Sequence, residues 1–301
     1  MEVRHLEYFV ALARERHFSR AARTCHVTQA TLSNGITRLE HDLQAQLVDR
    51  AQRFRRLTVE GERALVWAQR IVSDFSALRD DMRERRRDVT GSITIGVVPS
   101  AVPPAAVLTE LLTHKYPGIS AVVRSASADD IARGLTSGAY HAGVTYLSTA
   151  SPASGLTVPL YHERYDLITT HEAWADRDNV SWRDVASLPL CLLGAHLQHR
   201  RRIDEQFAHA GVLVRPRAEV DSFDGVLSHV VLGGYSSVIP HAIAILASHQ
   251  PTIRVIPMVE PSPSFSMGLM VERRESLTPP VSALVAIAAH VDLDAWLQAA
   301  C

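Results

Sequence analysis

The chain has 301 residues, 47% of them hydrophobic and 21% charged, with a formal net charge of −1. That length suits two domains rather than one small module. No window holds the roughly 18 uncharged apolar residues of a membrane span. Met1-Glu2-Val3-Arg4-His5 runs straight into an amphipathic pattern, so no secretory leader is expected. The three cysteines, Cys25, Cys191 and Cys301, are far apart; they exclude a disulfide scaffold or a Cys-rich zinc module and suit a reducing cytoplasm.

Charge is unevenly spread. Residues 1–58 hold ten arginines against six acids, whereas residues 59–301 hold twenty-one bases against twenty-six acids. A basic head on an acidic body makes nucleic acid a candidate partner of the head only. Leu6, Phe9, Val10 and Ala13 recur at the spacing of a helix with one buried face. Phe18, Ala21, Ala22 and Cys25 form a second short stripe with Ser19 as its expected N-cap, and the paired alanines let two helices cross closely. After His26-Val27, Thr28 caps a third helix through Leu32, Ile36, Leu39 and Leu43. The first turns of that helix carry Thr28, Gln29, Thr31, Ser33 and Asn34, the short or planar polar groups that a recognition helix presents to the major groove. Leu47 to Leu57 then alternates apolar residues around an arginine-dense tip, a two-stranded ribbon facing either a phosphate strand and minor groove or plain solvent.

Thr58-Val59-Glu60-Gly61-Glu62 starts a long helix with acids in its first turn. Ala64, Ala68, Ile71, Phe75, Leu78 and Met82 repeat every 3.5 residues, the pattern of a coiled-coil dimer seam, with packing onto the chain's own domain as the alternative. The basic run Arg83 to Arg87 suits the C-terminal end of the helix dipole, and Val89 to Ser92 break the pattern. Beyond it, strands are expected near 92–98, 119–124, 143–147, 165–170, 188–193, 215–220, 236–240, 252–257 and 265–271. Helices are expected near 103–116, 129–137, 202–210, 223–232, 242–248 and 280–300. That alternation implies a mainly parallel sheet with helices on both faces, and ligands of such sheets bind beyond the strand ends, at helix N-termini. Three strand ends fit: Ser100, Ala101 and Val102 after the first strand, Leu193 to Leu197 before three arginines, and Asp221, Ser222 and Phe223. Together they suit a small carboxylate or other small anion.

The stretches His17-Phe18-Ser19-Arg20-Ala21-Ala22, Val27 to Ser33, Ile36 to Glu40 and Arg56 to Gly61 resemble the LysR-type transcriptional regulators. Farther along, Pro159 to Glu163, Ser181 to Asp184 and Gly233 to Pro240 look like that family's recurring segments. The resemblance implies an α+β winged helix-turn-helix head over 1–58, a linker and dimerisation helix over 59–88, and an α/β, two-lobed, periplasmic-binding-protein-like effector domain over 92–301. Lobe I would take about 92–162 and 266–301, lobe II about 163–265. By the same resemblance Gln29 and Asn34 read bases, Thr31 and Ser33 touch phosphates, Arg53 enters the minor groove, and Arg38 and Arg50 join the DNA-contacting set; Ser100, His196 and Ser222 line the effector cleft. The implied partners are double-stranded promoter DNA, a small anionic metabolite, and further copies of the chain as a dimer and then a tetramer. The chain departs from the family's pattern at Ala30, where a proline is usual, at Gln44, where a glycine precedes the wing, and at His141, where an aspartate is common.

Other function classes find little footing. There is no Gly-x-Ser-x-Gly elbow, P-loop or Gly-x-Gly-x-x-Gly after a strand, so no enzyme site and no cofactor are expected. His196-Leu197-Gln198-His199 beside Cys191 lacks a His-Glu-x-x-His partner, and among fifteen histidines a chance cluster is the simpler reading, so no metal site is expected. A thiol-based redox sensor of the same architecture stands as the alternative, weakened because Cys191 lies in an apolar strand, where thiols are usually inert.

Overall fold

The computed structural model describes residues 2–51, 53–84, 89–147, 155–174, 177–272 and 277–299. The head is three helices and a wing: α1 (Val3–Glu15), α2 (Phe18–Thr24), α3 (Gln29–Leu43), β1 (Val48–Ala51) and β2 (Arg53–Leu57). Phe9, Leu12, Ala21, Leu32, Ile36 and Leu39 are all fully buried in one cluster, so each of the expected stripes faces the same core. Gly35 lets α1 and α3 approach, since a Cβ there would lie 2.6 Å from the Tyr8 ring. The cap of α2 differs from expectation. His17 takes that position, its ring accepting the Ser19 N–H at 3.2 Å, which places Ser19 inside the first turn.

Two contacts fix the wing. Glu40, near the end of α3, accepts the N–H groups of Leu47 and Val48 at 2.9 and 3.1 Å, and β1 then pairs antiparallel with β2 from Val48 opposite Leu57. The turn between α3 and the wing requires a left-handed residue, and Gln44 supplies it at φ 49°.

Helix α4 (Val59–Glu84) starts at Thr58, whose hydroxyl accepts the Gly61 N–H at 2.9 Å. At Gly61 an added Cβ would meet the Leu47 carbonyl oxygen at 2.1 Å, so helix and wing touch backbone to backbone. The expected seam divides in two. Ala68 is buried, and Ala64, Leu65 and Val72 pack with it on the head's own core. Trp67, Ile71, Phe75 and Leu78 face outward, Trp67 with 66% of its surface exposed. Packing onto the chain's own domain thus accounts for the first part of the stripe, and the rest stays exposed. The Met82 side chain and residues 85–88 lie outside the described residues.

The body begins with β3 (Thr90–Val97), α5 (Val102–Lys115), β4 (Gly118–Ser125), α6 (Ala128–Ser137), β5 (Ala142–Tyr146) and β6 (Gly155–Glu163). It continues through β7 (Tyr165–Thr169), β8 (Val180–Ser181), α7 (Trp182–Val185), β9 (Cys191–Leu193), α8 (Gln198–His209), β10 (Ala218–Val220), α9 (Phe223–Gly233), β11 (Ser237–Pro240), α10 (His241–Ser248) and β12 (Arg254–Val259). It closes with β13 (Phe265–Glu272), α11 (Pro279–Ala288) and α12 (Leu293–Ala299).

One five-stranded sheet runs β4-β3-β5-β13-β6; a second runs β11-β7-β12-β8, with β9 and β10 paired beside it. The expectation of a mainly parallel sheet needs correction: β3, β4 and β5 are parallel, but β13 is antiparallel to both neighbours, and β7 is antiparallel to β11 and β12. The chain passes between lobes twice in extended form, and each return strand enters its sheet reversed. Strand β6 went unforeseen because Pro159 interrupts it. Pro159 sits beside the register shift at Met267/Gly268 on an edge strand, where a missing N–H costs no ladder bond. The single closing helix expected over 280–300 is two, since Asp292 caps a new start by accepting the Ala295 N–H at 2.9 Å.

Two substitutions test this local account. Gln44→Gly removes the Cβ penalty of a left-handed residue and should stabilise the protein by about 1 kcal/mol. Gly61→Ala should cost about 2 kcal/mol or more, because backbone has to move. Urea denaturation of both variants checks the pair.

Candidate nucleic-acid interface and interlobe cleft

On α3 the buried face is Leu32, Gly35, Ile36 and Leu39. The opposite face exposes Thr31, Asn34 and Arg38 at i, i+3 and i+7, with Gln29 one turn ahead and Ser33 half-buried at the border. The groups at the helix start have distinct jobs. Thr28 is the N-cap, its hydroxyl accepting the Thr31 N–H at 3.1 Å and lying 2.8 Å from the Thr31 hydroxyl. Thr28 thus builds the helix end rather than reaching outward. The Ser19 hydroxyl donates to Gln29 Oε1 at 2.7 Å, leaving the Gln29 amide N–H groups to face outward. Ser19, expected only as a cap, holds the Gln29 side chain from the neighbouring helix. Arg50 and Arg53 stand on the two wing strands, paired with Phe54 and Ala51 near the hairpin's end; their side chains lie outside the described residues.

The second site lies between the lobes, an enclosed cleft of about 270 Å³. Val98, Pro99 and Ser100 enter it from the end of β3, Ser125, Ser127 and Ala128 from the turn before α6, and Tyr146 from the end of β5. Lobe II contributes Leu193, Leu197, Gln198 and His199 from the start of α8, and Asp221, Ser222 and Phe223 from the start of α9. Strand-to-helix turns converge because both sheets point their carboxyl ends at the gap. Ser127 caps α6 by accepting the Asp130 N–H at 3.1 Å, and Ser222 caps α9 by accepting the Gly225 N–H at 3.1 Å. Helix α8 has no side-chain cap, so its first N–H groups stay open to a ligand.

The expected residues Ser100, Ser222 and Phe223 line the cleft. Ala101 is buried behind it, and Val102 lies outside the lining. His196 stands at the rim, largely exposed and 3.7 Å from Asp221 Oδ1; His199 lines the cleft instead. It was overlooked because α8 begins at Gln198, four residues before the helix start expected at Arg202.

Glu163 and Tyr146 were likewise missed, since a lone Glu at a strand end carries no motif. The Tyr146 hydroxyl donates to Glu163 Oε1 at 2.8 Å and lies 3.3 Å from the Ser100 hydroxyl. Complete burial pushes the Glu163 carboxyl above the usual range, with only partial relief from the Ser100 and Tyr146 hydrogen bonds and from Arg202. Burial drives His199 down to about 3, helped by Arg202, and the imidazole is neutral. Arg200 is committed elsewhere, to Asp204, Glu219 and the Leu193 carbonyl. His141, in place of the family's aspartate, accepts the Thr94 N–H at 2.9 Å and joins β3 to the start of β5.

The His199 shift has a measurable consequence. As pH falls from about 6.5 toward 3, the unfolded chain takes up a proton that the folded ring refuses, so folding loses stability. His199→Gln should lose less, by about 1.4 kcal/mol per pH unit between pH 6 and 4, in denaturation measured at several pH values.

Comparison with known proteins agrees with this construction. Residues 3–62 match the bacterial regulatory helix-turn-helix protein family, lysR type, and residues 86–292 match the LysR substrate binding domain. The hydrogen peroxide-inducible genes activator of Pectobacterium carotovorum is 31% identical over 195 residues, 64% of either chain. The dual regulator OxyR of Escherichia coli is 27% identical over 273 residues, 90% of this chain and 89% of that one. The crystal structure of full-length CbnR with its target DNA superposes with a TM-score of 0.69 at 23% identity, covering 96% of this chain and 99% of that one. With a reading helix and wing at one end and a two-lobed sensing body at the other, this chain belongs to the LysR family of DNA-binding transcriptional regulators, which are not enzymes.

Proposed function

We propose that the 1–58 head binds double-stranded promoter DNA in the cytoplasm, that the 59–88 helix pairs two copies and effector-domain contacts make a tetramer, and that a small effector in the 92–301 body modulates promoter binding. The effector bears one carboxylate or comparable anionic group. The observation that carries this is the convergence of three helix starts, one of them uncapped, on an enclosed cleft between two lobes. The outward stripe Trp67, Ile71, Phe75 and Leu78 supports pairing, because such a row gains by burial against a second helix. Effector binding shifts the heads only insofar as it favours one lobe arrangement over another.

Peroxide-inducible relatives raise thiol sensing as a second reading. The described thiols favour the effector instead. Cys191 is buried in β9, Cys25 lies in the head, and burial pushes both thiols up, opposite to the activation a sensor thiol needs. Cys301 lies outside the described residues.

Binding to the DNA upstream of the coding region, followed by fluorescence anisotropy, tests the head. Gln29→Ala should relax preference at one base position, costing about 1–3 kcal/mol on the best sequence. Arg53→Ala should weaken binding to all sequences and lower the salt slope by about 1. If neither changes binding, the docking is wrong. For the body, Ser100→Ala should abolish the response to small carboxylates while sparing DNA affinity, and peroxide should leave that affinity unchanged.

A further inference from the structure

The inner wall of the cleft holds polar groups that the protein itself does not satisfy. Both ring nitrogens of His199 are closed to solvent and without a hydrogen-bond partner among the described residues. The ring is held between Tyr165, at 5.3 Å between centroids, and Phe223, at 5.4 Å edge to face. Across the cleft stand Ser100 and Tyr146, the Tyr146 hydroxyl engaged with Glu163, whose own second carboxyl oxygen has no partner among the described residues. Among those residues no lysine or arginine lines this cleft. Of the arginines nearby, Arg202 sits over the Tyr146 ring at 3.6 Å and over Phe265 at 4.6 Å, and Arg200 is bound to Asp204, Glu219 and the Leu193 carbonyl.

An unpartnered neutral imidazole offers one donor and one acceptor, and the hydroxyls opposite, whose protons are engaged among Ser100, Tyr146 and Glu163, offer acceptors. Such a wall rewards a hydroxyl, carbonyl or amide brought to it. It penalises a second charge, which would lose its water and meet no cation. We infer that His199, Ser100 and Tyr146 form a subsite for an uncharged hydrogen-bonding group, so that the effector is a small monoanion carrying such a group and dicarboxylates are rejected. The inference rests on the reading that this cleft holds the effector.

The test uses the full-length chain and two matched sets of probes: hexanoate, 6-hydroxyhexanoate and adipate, then 3-phenylpropionate and its 4-hydroxy derivative. Binding is measured by calorimetry. The hydroxy acids should bind about 10-fold more tightly than their parents, and adipate more weakly than hexanoate. His199→Phe, which keeps a ring of similar size without nitrogens, should shrink the hydroxyl preference to about 2-fold or less while the parent acids keep their affinity. Glu163→Gln, uncharged by construction, should preserve the preference and provides the check if His199→Phe does not fold. A preference that survives His199→Phe, that is lost in Glu163→Gln, or that runs toward adipate overturns the inference. Ser125→Trp fills the cleft from its exposed side and separates the two readings. Probes that bind equally well to that variant, or no binding by any probe, overturn the cleft as the effector site and the subsite with it.

Discussion

Helix α10 belongs to two hydrophobic cores at once, and the geometry of the body follows from that. Ala242 and Ile245 pack into the core of the first lobe, whereas Ile243, Ala244 and Ala247 pack into that of the second. The helix is thereby buried on two faces, one in each lobe, with only Leu246 among its large apolar residues left exposed. Its start is tied to the crossing strand: the Arg164 N–H donates to His241 Nδ1 at 3.0 Å, and the His241 N–H donates to the Arg164 carbonyl at 2.9 Å. The lobes thus share a fixed spine on one side, and the space left on the other is the cleft.

The head follows a similar economy of shared elements. Helix α4 lends one face, Ala64, Leu65, Ala68 and Val72, to the helix-turn-helix core and leaves another, from Trp67 to Leu78, exposed. Because Gly61 brings the helix start against the Leu47 carbonyl and Glu40 holds the same segment from α3, the reading helix, wing and linker form one rigid unit. A change in how two linkers pair would carry both reading helices with it. Under the proposed function, that would be the physical route from the cleft to DNA, provided the ligand distinguishes the two arrangements.

The electrostatics of the cleft differ from those of a simple anion trap. Helix starts turn their N–H groups toward it, while burial raises the Glu163 carboxyl above its usual range and holds His199 neutral. The nearby arginines are occupied, Arg200 with carboxylates and Arg202 with aromatic faces. Selectivity in such a site comes from hydrogen-bond matching in a low dielectric, where an unmatched polar group is costly.

The head was almost wholly legible in the sequence, because helical periodicity, capping residues and the order of motif residues are local properties. Leu32, Ile36 and Leu39 announce their buried face whatever surrounds them, and Thr28 and Thr58 cap the helices they precede. Strand and helix alternation in the body was legible for the same reason, apart from the short β8 and α7, too brief to show a period, and β6, whose proline reads as a break unless its edge position is known. Strand direction, the division of the α4 stripe between two partners, and the choice of His199 over His196 were decided only by the tertiary structure. Each depends on which distant segment comes to lie alongside: β13 beside β5 and β6, α1 against Ala68, Tyr165 and Phe223 around an imidazole. A sequence records the chemistry of each group, but burial and the company it keeps are set by long-range packing, and here those two factors raise the Glu163 carboxyl, hold His199 neutral and set its ring in the cleft wall.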